Sequence, residues 1–170
     1  MNKKDFSKNC LSQALIELLE ERPYEEISIQ DIVNRAGFSR MAYYRNFKVK
    51  DEIIDYTLDN IFDTYIKESG INFSIMGSDK FAKLLFEFFA TENMIKLTKL
   101  LLKNHLVGHM YVQFLKRTQG GFLPNQSHYF YDFIAGGFFS VYISWVLGGM
   151  KETPEQMAEG TAKLFNNHTK

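Results

Sequence analysis

Apolar residues recur along this chain at three- and four-residue intervals, a spacing that predicts helices throughout. Leu11, Leu15, Leu18 and Leu19 form one stripe over about Asp5 to Glu21, with Gln13, Glu17, Glu20 and Glu21 mostly off it. Pro23 ends that helix, because proline disfavours helical backbone at the residue before it. Ile29, Ile32 and Val33 mark a short second helix closed by Ala36-Gly37, and Tyr43 and Phe47 mark a third over Arg40 to about Phe47. A longer helix opens at Lys50-Asp51-Glu52 and reaches about Glu68, with Ile53, Ile54, Leu58, Ile61, Phe62, Tyr65 and Ile66 as its apolar positions. Ser69 to Ser78, with two Gly and three Ser, is expected to be the main loop.

Further helical segments follow over Phe81 to Ala90, Glu92 to Leu102, and His105 to Arg117, the last two separated by little more than a bend. Thr118 to Gln126 reads as a loop by its Gly-Gly and Pro. The most apolar stretch, Ser127 to Met150, includes 18 residues from Phe133 onward without a charge. That run meets the length of a membrane span. Gly136-Gly137 costs a helix on the order of 1 kcal/mol per glycine relative to alanine, a cost that fits a place where backbones approach closely. A buried helix is the favoured expectation. Asp132, Gly136, Ser140, Ser144 and Gly148 give it one small or polar stripe, and Phe130, Phe133, Ile134, Phe138, Val141 and Trp145 an apolar one. Thr153-Pro154-Glu155-Gln156 is a complete helix start, and Met157, Ala158, Thr161, Leu164 and Phe165 form the apolar side of the last helix.

Two features set Ser28 to Lys50 apart. Ser28 with Asp31 three residues on is a capping box with Asp in place of Glu or Gln, and Ser39 caps the next helix directly after the Gly37 turn. Helix, glycine turn and second helix is helix-turn-helix grammar. Charge then changes the picture. Formal net charge is zero, yet Ile32 to Lys50 carries Arg35, Arg40, Arg45, Lys48 and Lys50 with no acid, while Glu17 to Asp31 holds six acids and one Arg. The balance hides a basic face, although a solvated surface would explain the charge equally well.

Ala36-Gly37-Phe38-Ser39, then Tyr44-Arg45-Asn46-Phe47, then Lys50 resembles the DNA-binding domain of TetR-family transcriptional regulators, over about Leu11 to Ile54. Met41 and Ala42 depart from the family pattern, which has a small residue and Thr there. The resemblance implies an all-α fold: a helix-turn-helix domain over residues 1–50 and a helical effector-binding and dimerisation domain over 51–170. It implies base contacts from Gln30, Arg40, Met41 and Arg45, and phosphate contacts from Ser28, Ser39, Tyr44, Asn46 and Lys50. It also implies a homodimer through the last two helices, about 127–149 and 154–167, which would set two reading helices about one DNA turn (~34 Å) apart on a palindromic operator.

Function beyond the DNA-binding region is less defined by residues. Phe86, Phe89, Tyr111, Phe114, Phe133 and Phe138 are candidates to line an apolar effector pocket, although a Phe-rich stripe also serves as plain core. His105 and His109 stand four apart on an expected helix, a weak metal-ligand pair against which hydrogen-bonded histidines are the plainer reading. No cofactor is called for. Nucleophile elbow, phosphate loop and paired metal motif are absent, so an enzyme is not expected. The single Cys10 allows no internal disulfide and reads as a small buried residue, and MNKKDFSKN lacks an apolar signal core, so a cytoplasmic protein is expected. The leading expectation is a repressor released by a small effector. The alternative is a DNA-binding co-activator whose C-terminal part binds a protein.

Overall fold

The computed structural model describes residues 3–71, 78–120 and 127–166, which fold into nine α-helices with no strand among them. α1 (Lys3–Glu21), α2 (Ile29–Ala36) and α3 (Arg40–Tyr44) form a head, with a 3-10 turn, Tyr24–Glu26, joining the first two. α4 (Asp51–Ser69) leaves the head and runs along the body, made of α5 (Asp79–Phe89), α6 (Glu92–Lys103), α7 (Val107–Gly120), α8 (His128–Leu147) and α9 (Pro154–Asn166).

The head closes around Leu11, Leu15, Leu19, Ile32, Tyr43 and Ile53, all but removed from water. These come from α1, α2, α3 and α4, so the four helices share one apolar centre. α3 ends at Tyr44, short of the expected Phe47. Asn46 and Phe47 instead turn back to the Tyr43 carbonyl at 2.8 and 2.9 Å, which still buries Phe47 beneath the helix.

In the body α7 starts at Val107 rather than His105 and extends past Arg117 to Gly120. His105 has a φ of 57°, left-handed backbone that separates α6 from α7 by a tight turn. Of the expected loops, residues 72–77 and 121–126 lie outside the described residues, as do the side chains of Leu164 and Phe165. α9 opens with the predicted reciprocal cap: Gln156 N–H donates to Thr153 Oγ1 at 3.2 Å, and Thr153 N–H to Gln156 Oε1 at 2.8 Å.

α8 is long and apolar enough to cross a bilayer by length and composition. One side is core: Tyr131, Ala135, Phe138, Tyr142, Trp145 and Val146 are buried against α5 and α7. The opposite side, through Tyr129, Phe133, Gly137, Ser140, Ser144 and Leu147, is exposed. The helix is therefore buried on one face, not all round. Phe133, expected among the apolar core-facing positions, belongs to the outer face at 75% exposure.

Candidate nucleic-acid interface

Ser28 Oγ accepts from the Asp31 backbone N–H at 3.2 Å, and Ser28 N–H donates to Asp31 Oδ2 at 2.9 Å, so α2 starts in a reciprocal cap. The Ser28 hydroxyl, its backbone N–H and the Arg22 guanidinium hold the Asp31 carboxyl down to about 2. Gly37 then takes φ 72°, where an L side chain is strained, and its N–H reaches back to Asn34 and Val33. Two residues later Ser39 accepts from Ala42 N–H at 3.2 Å, which starts α3 in a new direction.

Ala42 and Tyr43 face inward and are buried. Four residues remain on the outer arc. On a helical projection Arg40, Tyr44, Met41 and Arg45 follow one another across roughly 140°, and all four are exposed, Met41 to 74%. Of the two departures from the family pattern, only Met41 therefore alters the outward surface. Gln30 is exposed on α2, its amide donating to Asn34 Oδ1 at 2.7 Å.

The basic face is smaller than the sequence count of five. Arg35 is drawn to α1 by Glu21 at 2.8 Å and Glu17 at 3.5 Å. Lys50 turns inward: its ammonium donates to the carbonyls of Tyr24 (2.8 Å) and Ile27 (2.6 Å) and lies 4.1 Å from the centre of the Tyr24 ring. Burial lowers its pKa. Arg40, Arg45 and Lys48 remain exposed, with no side-chain ion pair among the described residues. Asn46 is also engaged inside the head, its amide donating to Ala42 O at 2.7 Å and Ser7 Oγ at 3.0 Å. Thus Lys50 and Asn46, expected to hold phosphates, act first as braces, whereas Ser28, Ser39 and Tyr44 are exposed.

In the body the residues expected to line a pocket mostly fill the core. Phe138 packs on Phe86, Phe114 and Phe89 at 5.0, 5.1 and 5.5 Å between ring centres, and all four are buried. Tyr111 packs on Phe139 and Phe133 faces outward, so neither completes a pocket with them. An opening of about 670 Å³ lies elsewhere, between α1, α4 and the α5–α6 region, with Ile16, Ile61, Phe88 and Leu97 on its floor and Gln13, Asn60 and Asn93 among its polar groups. Lys96 and Glu20 join α6 to α1 by a 2.8 Å ion pair beside it.

The histidine pair does not form. His105 sits in the left-handed turn, while His109 on α7 bonds Asp55 on α4 through Nδ1 at 2.9 Å. That bond begins a ladder which the sequence reading missed. Gln113 donates to Asp55 at 3.0 Å, and Arg117 donates to Asp59 at 3.1 Å and Asp63 at 2.6 Å. Burial acts to raise the Asp55 pKa, but the bonds from His109 and Gln113 outweigh it and keep the carboxyl below its usual range. The available signal was the matched spacing, Asp55-Asp59-Asp63 against His109-Gln113-Arg117, each four apart. Asn104, buried in the α6–α7 turn, accepts from Tyr24 N–H at 2.9 Å and so ties the body to the head's 3-10 turn.

Residues 11–57 match the bacterial regulatory proteins of the tetR family, and residues 80–167 match a transcriptional regulator C-terminal region. Among curated relatives, the HTH-type dhaKLM operon transcriptional activator DhaS of Lactococcus lactis subsp. lactis is 25% identical over 69 residues, 41% of this chain and 37% of that protein. The uncharacterized HTH-type transcriptional regulator YwcC of Bacillus subtilis is 33% identical over 57 residues, 34% of this chain and 26% of that protein. The matched part thus spans about a third of those relatives' length. A solved structure of dihydroxyacetone kinase operon activator DhaS superposes with a TM-score of 0.56 at 16% identity, over 95% of this chain and 94% of that one. At that identity the likeness is one of fold.

Proposed function

This chain belongs to the TetR family of transcriptional regulators, and from that premise we propose that it is a non-enzymatic, cytoplasmic homodimer that holds a palindromic operator until an effector releases it. The observation that carries the reading is the outer arc of α3, where Arg40, Met41, Tyr44 and Arg45 stand in water above buried Ala42 and Tyr43. A short helix so placed enters the major groove.

Arg40 is the leading base reader, since a guanidinium donates two bonds to guanine O6 and N7 and such a pair discriminates by ~1 to 3 kcal/mol. Arg45, Met41 and Gln30 complete the reading surface. Phosphate contacts fall to Ser28, Ser39 and Tyr44, joined by the exposed Lys48. Asn46 serves the interface by tying the end of α3 to Ser7 on α1, and Lys50 by tying the start of α4 to the α1–α2 connection. The division between DNA-binding and regulatory parts falls near residue 50, where α4 begins.

Dimerisation through α8 and α9 is supported by the outer face of α8, which carries no charge from Tyr129 to Leu147 except the half-buried Asp132. A Cβ placed on Gly137 would meet nothing within 4 Å in this chain, so the glycine's cost is better matched by a partner's helix. The opening between α1, α4 and α6 suits a small amphipathic effector: filling it would bear on head and body together. Such a ligand shifts the heads only by favouring one arrangement over the other.

A second reading has two observations in its favour. DhaS is named an activator, and the packed rings of Phe86, Phe89, Phe114 and Phe138 leave the body a solid centre. On this reading the chain is a co-activator that answers to a partner protein. Selecting bound duplexes from a random-sequence pool tests the primary claim. A palindromic consensus with half-sites one helical turn apart is expected; no enrichment, or a single unpaired half-site bound by a monomer, overturns it. Reporter expression from that operator, with and without the chain, then separates repressor from activator.

A further inference from the structure

We propose that Met41 is a thymine reader: its thioether packs on the C5-methyl group of a thymine in the operator half-site, so the chain selects a methyl-bearing base at that position. The inference rests on the DNA-binding reading and adds the base class that one residue selects.

Met41 occupies the middle of the outer arc of α3, between Tyr44 and Arg45 on the helical projection. Its side chain is 74% exposed although the residues on either side of the arc are polar or charged. Among the described residues no hydrogen bond or ion pair engages its side chain. The core beneath α3 is closed by Ala42, Tyr43 and Phe47, the two rings packing at 6.2 Å between centres. An apolar side chain of this length gains by leaving water. In the major groove the apolar feature that distinguishes one base from another is the thymine methyl; every other marker there is a donor or acceptor. A thioether is a poor partner for those polar edges and, being unbranched and polarizable, a good one for a methyl. Tyr44 and Arg45, which flank it on the arc, supply the phosphate and base contacts that bring the groove floor to within its reach. The methionine then discriminates against cytosine by the missing methyl.

The test uses the full chain, a duplex it has selected from a random pool, and copies of that duplex in which each thymine is replaced singly by uracil, which removes the methyl and leaves the hydrogen-bonding edge intact. At one thymine per half-site, uracil should weaken wild-type binding roughly three- to fivefold, the size set by burying one methyl group. Met41→Ala should lose a similar factor on the thymine duplex and show no further loss on uracil at that position, while Met41→Leu, which keeps an apolar tip, should retain part of the wild-type preference. Because Met41 is exposed and alanine is a strong helix former, unchanged thermal melting of Met41→Ala is the expected control. A selected duplex whose uracil copies all bind like the original, or a uracil penalty that persists undiminished in Met41→Ala, overturns the assignment to Met41 while leaving DNA binding intact. A chain that selects no duplex overturns both readings.

Discussion

In the head, the starts of α2 and α3 are fixed by bonds only a few residues away; in the body, placement depends on partners tens of residues distant. Ser28 and Asp31 cap each other across three residues, Gly37 turns the chain, and Ser39 restarts it, so the direction of Arg40 and Met41 is settled within a dozen residues. The body instead depends on Phe89 meeting Phe138 at 5.5 Å and on Arg117 crossing from α7 to Asp59 and Asp63 on α4. Local devices make the interface robust to change elsewhere. Long-range ones tie the helices of the body to one another and to α4.

Perturbations of graded size would test that contrast. Phe89→Ala, at a site with no exposure and rings on several sides, should cost about 3 to 5 kcal/mol in denaturant unfolding; a loss below about 1 kcal/mol would show a body that repacks freely. Arg117→Ala removes a largely buried guanidinium and its bonds to α4, and about 2 kcal/mol should be lost. Hydrogen exchange should then speed up in α4 and α7 and leave α2 and α3 protected. Equal loosening of α2 would break the contrast outright. Gly37→Ala should cost about 1 kcal/mol through backbone strain alone, because a Cβ there meets no atom within 4 Å.

The smallest effect is a pH effect. Asp31 titrates lower in the folded head than in an unfolded chain, where a carboxyl sits near 3.9, so its contribution is complete above about pH 4. It is lost as pH falls toward about 2, the folded value. Asp31→Ala should therefore be less stable than wild type at pH 6, with the gap closing below about pH 2 in acid titrations followed by circular dichroism. A gap that widens in acid would contradict the cap.

The same contrast explains what could be read from the amino-acid order. Caps at Ser28, Ser39 and Thr153 and the glycine turn at Gly37 are legible because their chemistry lies within four residues. Phe133 was misplaced because a helical stripe of aromatics does not say which side faces the core, and only packing against α5 and α7 decides it. Lys50 looked free to bind phosphate because its acceptors, the carbonyls of Tyr24 and Ile27, lie more than twenty residues upstream. His109 is hydrogen-bonded, as the plainer of its two readings has it, but the partner that bonds it, Asp55, lies 54 positions away and could not be named. α3 ends short of the expected Phe47, yet Asn46 and Phe47 turn back to the Tyr43 carbonyl and the Phe47 ring stays buried.

The most direct test of the central claim, that the outer arc of α3 is the DNA-reading surface, is the salt dependence of binding to a selected operator for wild type and Arg40→Ala side by side. Wild-type affinity should fall steeply and linearly on a log-log plot as salt rises, because phosphate contacts release counterions. Arg40→Ala should bind the operator at least tenfold more weakly while binding unrelated duplex nearly as well as wild type does. Affinity indifferent to salt, or an Arg40→Ala variant that keeps full preference for the operator, would contradict the account.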